Sequence, residues 1–383
     1  MSMGGRKLKR IVAAGHVCLD ITPEFVNQPV EKMGDLMKPG SLVETGTADV
    51  HIGGSIANTG LGLKILGADV VLMGKIGKDS FGSLVKAQVG DYVSTEYMIE
   101  SESEGTSYSV VLAPKGIDRM FLHCPGANDT FSAADPDYEV IRNADLFHFG
   151  YPPLMKTMFQ EDGEELVQMY RRVYEMGVAT SLDTASVDEH AESGWADWKK
   201  ILKRVLPYVD FFVPSVEELA FMIDRPLYQT WTERADGRDI TEVIHQEEIR
   251  SLADTLISWG AKIVMIKCGT PGLYLATGNL KTMGALSEKL NLDLFGWEDV
   301  RHFEKSYKPS KVLSATGAGD TTIAAFLYAV LQGYEWDECV QLAAAEGATC
   351  VETYDAISGL KSLEALKCRI DSGWEKQNLI SEI

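Results

Sequence analysis

The sequence lacks a long apolar run: no stretch approaches the ~18 residues of a membrane-spanning helix. The opening residues, Met-Ser-Met-Gly-Gly-Arg-Lys-Leu-Lys-Arg, lack the apolar segment and cleavage site of a secretory leader. A cytoplasmic location is expected. Positive charge is scarce too. Against 56 Asp and Glu stand 36 Lys and Arg, a net charge of −20, which argues against general binding to nucleic acid or an anionic membrane. An anionic substrate would need a local positive feature, such as a helix end or a metal ion. Cysteines are few: Cys18, Cys124, Cys268, Cys339, Cys350 and Cys368 form no Cys-x-x-Cys, so they read as reduced, mostly buried thiols and not as a zinc site. Gly15-His16-Val17-Cys18 lacks the Gly-x-Gly-x-x-Gly spacing of a dinucleotide-binding turn. No internal repeat and no low-complexity tract is present.

What is there centres on Thr316-Gly317-Ala318-Gly319-Asp320. Lys311-Val312-Leu313 reads as a strand end leading into it. A helix follows, with Ile323, Phe326, Leu327, Val330 and Leu331 on one apolar face and Gly333 as its stop. Gly317 to Gly319 then lie where a loop becomes a helix. The first amides of a helix have no internal acceptor and carry its positive end, and glycine lets an anion come close. Asp320 in the first turn has two readings: a helix-capping carboxylate, or a general base beside an anion hole made by the amides of Gly317, Ala318 and Gly319.

Upstream, Ile11–Gly15 reads as a strand, with Asp20 just past the edge where ligands gather in open α/β sheets. Gly53-Gly54 precedes a helical run from Ile56 to Leu66, with Asn58 one turn inside. Val70–Gly74 is a further strand. Residues 106–112 and 120–122 form a hairpin around Pro114-Lys115-Gly116, and with the β-type pieces of 21–50 can build a small separate sheet. From Ala144 strands and helices alternate, the mark of a parallel sheet with crossover helices. The strands are Leu146–Phe149, Val178–Leu182, Phe211–Val213, Ile263–Lys267 and Leu273–Ala276. Helices are expected over about 159–176, 195–206, 216–223 and 246–259. Ser215 and Glu218 carry the spacing of a capping box. Residues 225–245 and 281–310 read as polar, irregular surface elaborations.

Taken in order, Gly53-Gly54…Asn58, Gly74…Gly77-Lys78-Asp79…Gly82, Gly126-Ala127-Asn128, Ser215…Glu218, Lys267-Cys268-Gly269…Gly272 and Thr316–Asp320 resemble the ribokinase/PfkB-type carbohydrate and nucleoside kinases. The resemblance spans about residues 10 to 360. It implies one Rossmann-like α/β domain over 1–383, a mainly parallel sheet flanked by helices, with a small β lid from about 21–50 and 97–124. It further implies ATP and Mg²⁺ as cofactors and a sugar or nucleoside as partner. Some members of the family dimerise through their lids.

Carried over by residue, Asp320 matches the catalytic base and Gly317, Ala318 and Gly319 the anion hole. Asp20, Gly53, Gly54 and Asn58 match sugar-binding positions. Ser215, Lys267, Gly269, Gly272 and Thr316 match the nucleotide side, and Glu218 the glutamate that places Mg²⁺. The expected reaction is transfer of the γ-phosphoryl group of ATP to a sugar of fructose, ribose or ketodeoxygluconate type. The alternatives are a nucleoside acceptor and a non-catalytic sugar-binding protein. Three positions depart from the family pattern. Ser314 replaces an aspartate, which removes the ground for expecting activation by a monovalent cation. Ser215 replaces an asparagine, and Asp355-Ala356 replaces Gly-Ala.

Overall fold

A computed structural model describes residues 8–117 and 120–378. Its strands are β1 (Arg10–Gly15), β2 (Cys18–Phe25), β3 (Thr45–Gly53), β4 (Asp69–Met73), β5 (Lys75–Gly77), β6 (Ile99–Ser101), β7 (Tyr108–Leu112), β8 (Met120–Cys124), β9 (Leu146–Gly150), β10 (Ala179–Leu182), β11 (Phe211–Phe212), β12 (Ile263–Lys267), β13 (Gly272–Thr277) and β14 (Arg301–Lys305). Eight of them form the main sheet in the order β14-β13-β12-β11-β10-β9-β1-β4. From β4 through β12 all neighbours run parallel. The edge strands β13 and β14 are antiparallel.

The central strands are apolar almost without interruption because helices cover both faces. Alternate residues of β1 serve opposite cores. Ile11 and Ala13 pack with Phe326 and Leu327 of the helix Ala318–Leu331 on one face. Val12 and Ala14 pack with Phe147, Tyr170 and Trp198 on the other. All parallel strands therefore end at one edge, and His16, Tyr151, Asp183, Ser215 and Lys267 stand at or just beyond the carboxyl ends of β1, β9, β10, β11 and β12.

The second sheet has the order β3-β2-β7-β8 and stands apart from the first. It is the small sheet expected from the hairpin and the 21–50 segment. Residues 99–101, placed in the same stretch by sequence, pair with β5 and lie outside it. The crossing from β1 to β2 is clamped by Asn128, whose side chain donates to the Val17 carbonyl at 2.9 Å and accepts from the Val17 amide at 3.3 Å. Asp79 caps the helix Ser80–Gly90 through the Gly82 amide at 2.7 Å and ties it to the Thr106 amide at 2.8 Å. Two of the motifs that carry the family resemblance thus serve architecture.

Several expected elements differ. Lys311–Leu313 is no strand; Val312 is exposed, and the Leu313 amide bonds the Val351 carbonyl at 2.8 Å. The 225–245 stretch contains the helix Arg225–Ala235, started by Asp224 and Pro226 and anchored by fully buried Trp231. The 281–310 stretch contains the helix Leu280–Leu290, capped by Asn279, and then β14. Ile56–Gly60 is wound as a π-helix before the α-helix Leu61–Leu66, a form that recurs at functional sites.

Candidate active site

One cleft of about 670 Å³ lies between the carboxyl edge of the main sheet and the second sheet. Asp320 lines it, in the first turn of the helix Ala318–Leu331 and only 5% exposed. Three side chains donate to its carboxylate. The Tyr151 hydroxyl reaches both oxygens at 2.8 Å, the Thr59 hydroxyl one at 3.1 Å, and the Asn58 amide the other at 3.1 Å. Burial raises the Asp320 pKa above the ordinary carboxylate value, opposed by the Lys267 charge and by these hydrogen bonds. A carboxyl so raised is a stronger base than one in water.

Tyr151 and Thr59 carried no signal in the sequence. Tyr151 adopts φ 69, a left-handed backbone that is rare for a bulky residue. That conformation sits just beyond β9, and the side chain it carries reaches Asp320. Burial, then the Asp320 charge, pushes the Tyr151 phenol well above its usual value, so it remains a donor.

Lys267, expected on the nucleotide side, ends β12 with its ammonium 2.8 Å from Asp183, a buried carboxylate just past the end of β10. Burial works against the lysine's charge, but Asp183 and Glu218 outweigh it and hold its pKa above the ordinary value. Burial likewise raises Asp183, against the pull of Lys267. A Cβ built on Gly319 would lie 3.7 Å from the Lys267 ammonium, so glycine there leaves open the space beside a cation. Gly317 takes φ 78 as the N-cap and packs against Ala356. The Ala318 amide already meets the Ala315 carbonyl at 3.3 Å, and the first intrahelical bond is Thr321 to Gly317. The amides of Gly319 and Asp320 thus have no acceptor within the helix.

Glu218 lines the same cleft. Its carboxylate accepts from the Thr184 hydroxyl at 2.8 Å and the Ser215 amide at 3.2 Å. Ser215 and Glu218 therefore do cap their helix, Val216–Ile223, and still face the cleft. Gly269 and Gly272 line it as well, while Thr316 and Gly317 lie behind its wall. The Thr316 amide donates to the Ser314 hydroxyl at 3.2 Å.

Asp20 on β2 lines the cleft too and accepts from the Cys18 thiol at 3.3 Å. A side chain on Gly53 would overlap the Asp20 carboxylate, so this glycine acts by making room and is not itself in the cleft wall. Gly54 has φ 88, and a Cβ there would meet the His16 carbonyl at 2.6 Å and its imidazole at 2.7 Å. Asn58, expected to bind sugar, contacts Asp320 directly. Asp183, Thr184, His16 and His123 also line the cleft, and none of the four belongs to a glycine motif that carries the family resemblance.

The chain belongs to the pfkB family of carbohydrate kinases, whose model matches residues 13–363. It is 27% identical over 303 residues to an uncharacterized sugar kinase of Archaeoglobus fulgidus, covering 78% of this chain and 98% of that one. It is 23% identical to a 5-dehydro-2-deoxygluconokinase of Clostridium beijerinckii, covering 93% and 91%. Arabidopsis thaliana ribokinase, solved with ribose and ATP, has the same fold: TM-score 0.69 at 21% identity, over 94% of this chain and 98% of that one. The protein is therefore a sugar kinase, a phosphotransferase with an alcohol group as acceptor.

Proposed function

We propose that the cleft transfers the γ-phosphoryl group of ATP to a hydroxyl of a small carbohydrate, with Asp320 as general base. One observation carries this reading. The Asp320 carboxylate is fixed by three donors in the wall of a cleft that Asp20, Lys267 and Gly319 also line. A hydroxyl seated near Asp20 can give its proton to Asp320 as its oxygen attacks. MgATP, when bound, supplies the phosphoryl group, and the metal draws charge from its oxygens.

The donor set suits a phosphate: free first-turn amides, the positive helix end and the Lys267 ammonium converge beside the open space at Gly319. Ser215, Gly269 and Gly272 line the adjoining part of the cleft and are assigned to the nucleotide; Thr316 supports the turn from behind. Among the described residues no three His, Cys, Asp or Glu side chains gather around a metal position. Mg²⁺ usually keeps several waters and takes one or two carboxylates plus phosphate oxygens, and Glu218 is the carboxylate assigned to it. The second sheet acts as a lid that keeps water from the phosphoryl group.

Asp320→Asn tests the assignment. It should lower kcat by roughly 10²–10⁴ and leave nucleotide affinity nearly unchanged, as read by acceptor-dependent ADP release and by nucleotide titration. An unchanged kcat removes Asp320 from the role of base.

A further inference from the structure

Resting on the kinase reading, we infer that the acceptor is an uncharged polyol, a neutral sugar or nucleoside in preference to a sugar acid or sugar phosphate, and that His16 and His123 help select it. The charges of the cleft point this way. Among the described residues that line it, Lys267 is the one lysine or arginine. It stands at the phosphate end, bonded to Asp183 at 2.8 Å. Among the described residues, the acceptor end holds a carboxylate, Asp20, and no lysine or arginine.

The two imidazoles there do not supply one. Burial, then His123, lowers the His16 pKa to about 3. Burial lowers that of His123, against the charges of Asp20 and Asp129. The rings lie 5.4 Å apart, and the His123 Nδ1 is 3.0 Å from the Ser109 hydroxyl. His16 is 2% exposed, and neither of its nitrogens has a partner. A neutral imidazole offers one donor and one acceptor, which matches a hydroxyl. A carboxylate can only accept, and here it would lie near Asp20 with no lysine or arginine among the described residues to balance it.

The test is binding, measured by calorimetry on the unmodified protein without nucleotide. The ligands are fructose, ribose, inosine, and 5-dehydro-2-deoxygluconate, the acid for which the clostridial relative is named. At least one neutral compound should bind at least about 100-fold more tightly than the acid, the effect of one uncompensated like charge at close range. His123→Arg should narrow or reverse the ratio and His123→Gln should keep it, each checked for an unchanged melting profile. Equal or tighter binding of the acid, or no binding of any neutral compound, overturns the inference. A ratio unmoved by His123→Arg removes His123 from the selecting role. Neutral binding without ADP release on adding ATP and Mg²⁺ leaves this inference standing and sinks the kinase mechanism instead.

Discussion

The proposed base, Asp320, can act only when deprotonated, so activity should be present above its pKa and fall as pH drops through it. Burial places that pKa above the ordinary carboxylate value of about 4. The acid limb of kcat/KM, which reports the free enzyme, should therefore lie higher than for an exposed carboxylate. The Tyr151 hydrogen bonds lower the Asp320 pKa. Tyr151→Phe should thus shift the acid limb further toward neutrality as well as reduce kcat; a pH profile that moves downward or not at all argues against the role given to Tyr151. At this scale the sequence singled out Asp320, Asp20, Glu218 and Lys267, which line one cleft, because each lies in or beside a motif that stands out along the chain. It did not reveal Tyr151, and it showed Asp183 only as a polar residue after a strand, without its bond to Lys267. Each follows an ordinary buried strand, and its bond to the cleft is made with a partner 169 or 84 residues away.

The elements around the site hold conformations that ordinary side chains resist. Gly54 bridges β3 and the π-turn at φ 88, with His16 packed against its α-carbon. Gly54→Ala should destabilise the fold by about 1–3 kcal/mol through backbone strain and, by displacing His16, weaken acceptor binding. Thermal melting and acceptor KM would show both. On the helix Trp336–Cys350, which packs against the Asp320 helix, Glu346 is fully buried and one of its oxygens has no partner. Burial raises its pKa to about 8, against the Lys361 amide and charge. Between about pH 4.3, where an unfolded glutamate titrates, and about pH 8 the folded state holds a proton that the unfolded state has lost. Stability should fall as pH rises across that window, by up to about 1.4 kcal/mol per pH unit. Glu346→Gln should flatten this slope in urea titrations at pH 5 and pH 8; parallel slopes would count against it. Helices with clear apolar periodicity were legible in the sequence. The helices Arg225–Ala235 and Leu280–Leu290 were not, because mixed, polar faces hid them. Their caps, Asp224-Arg225-Pro226 and Asn279, were the available signal.

For the whole molecule, alternation of strand and helix was enough to give the parallel core, and the β-rich early segments gave the second sheet. The antiparallel turn from β12 to β13 was implicit in a link too short for a parallel crossover, whereas β14 was hidden in a stretch read as irregular. We propose that the lids pair two copies of the chain. The edge strand β8 exposes Phe121 and Leu122, each 59% accessible, and an unpaired apolar edge invites pairing. Light scattering should give a dimer that Leu122→Lys dissociates; a monomer at micromolar concentration would refute this. The central claim is that one buried carboxylate, aimed between a sugar site and a phosphate site, does the chemistry. The most direct measurement is acceptor-dependent ADP release by the unmodified protein and by Asp320→Asn, with a neutral sugar that both bind equally. The account predicts robust release from the first and loss of roughly 10²-fold or more in the second; equal rates from the two would contradict it.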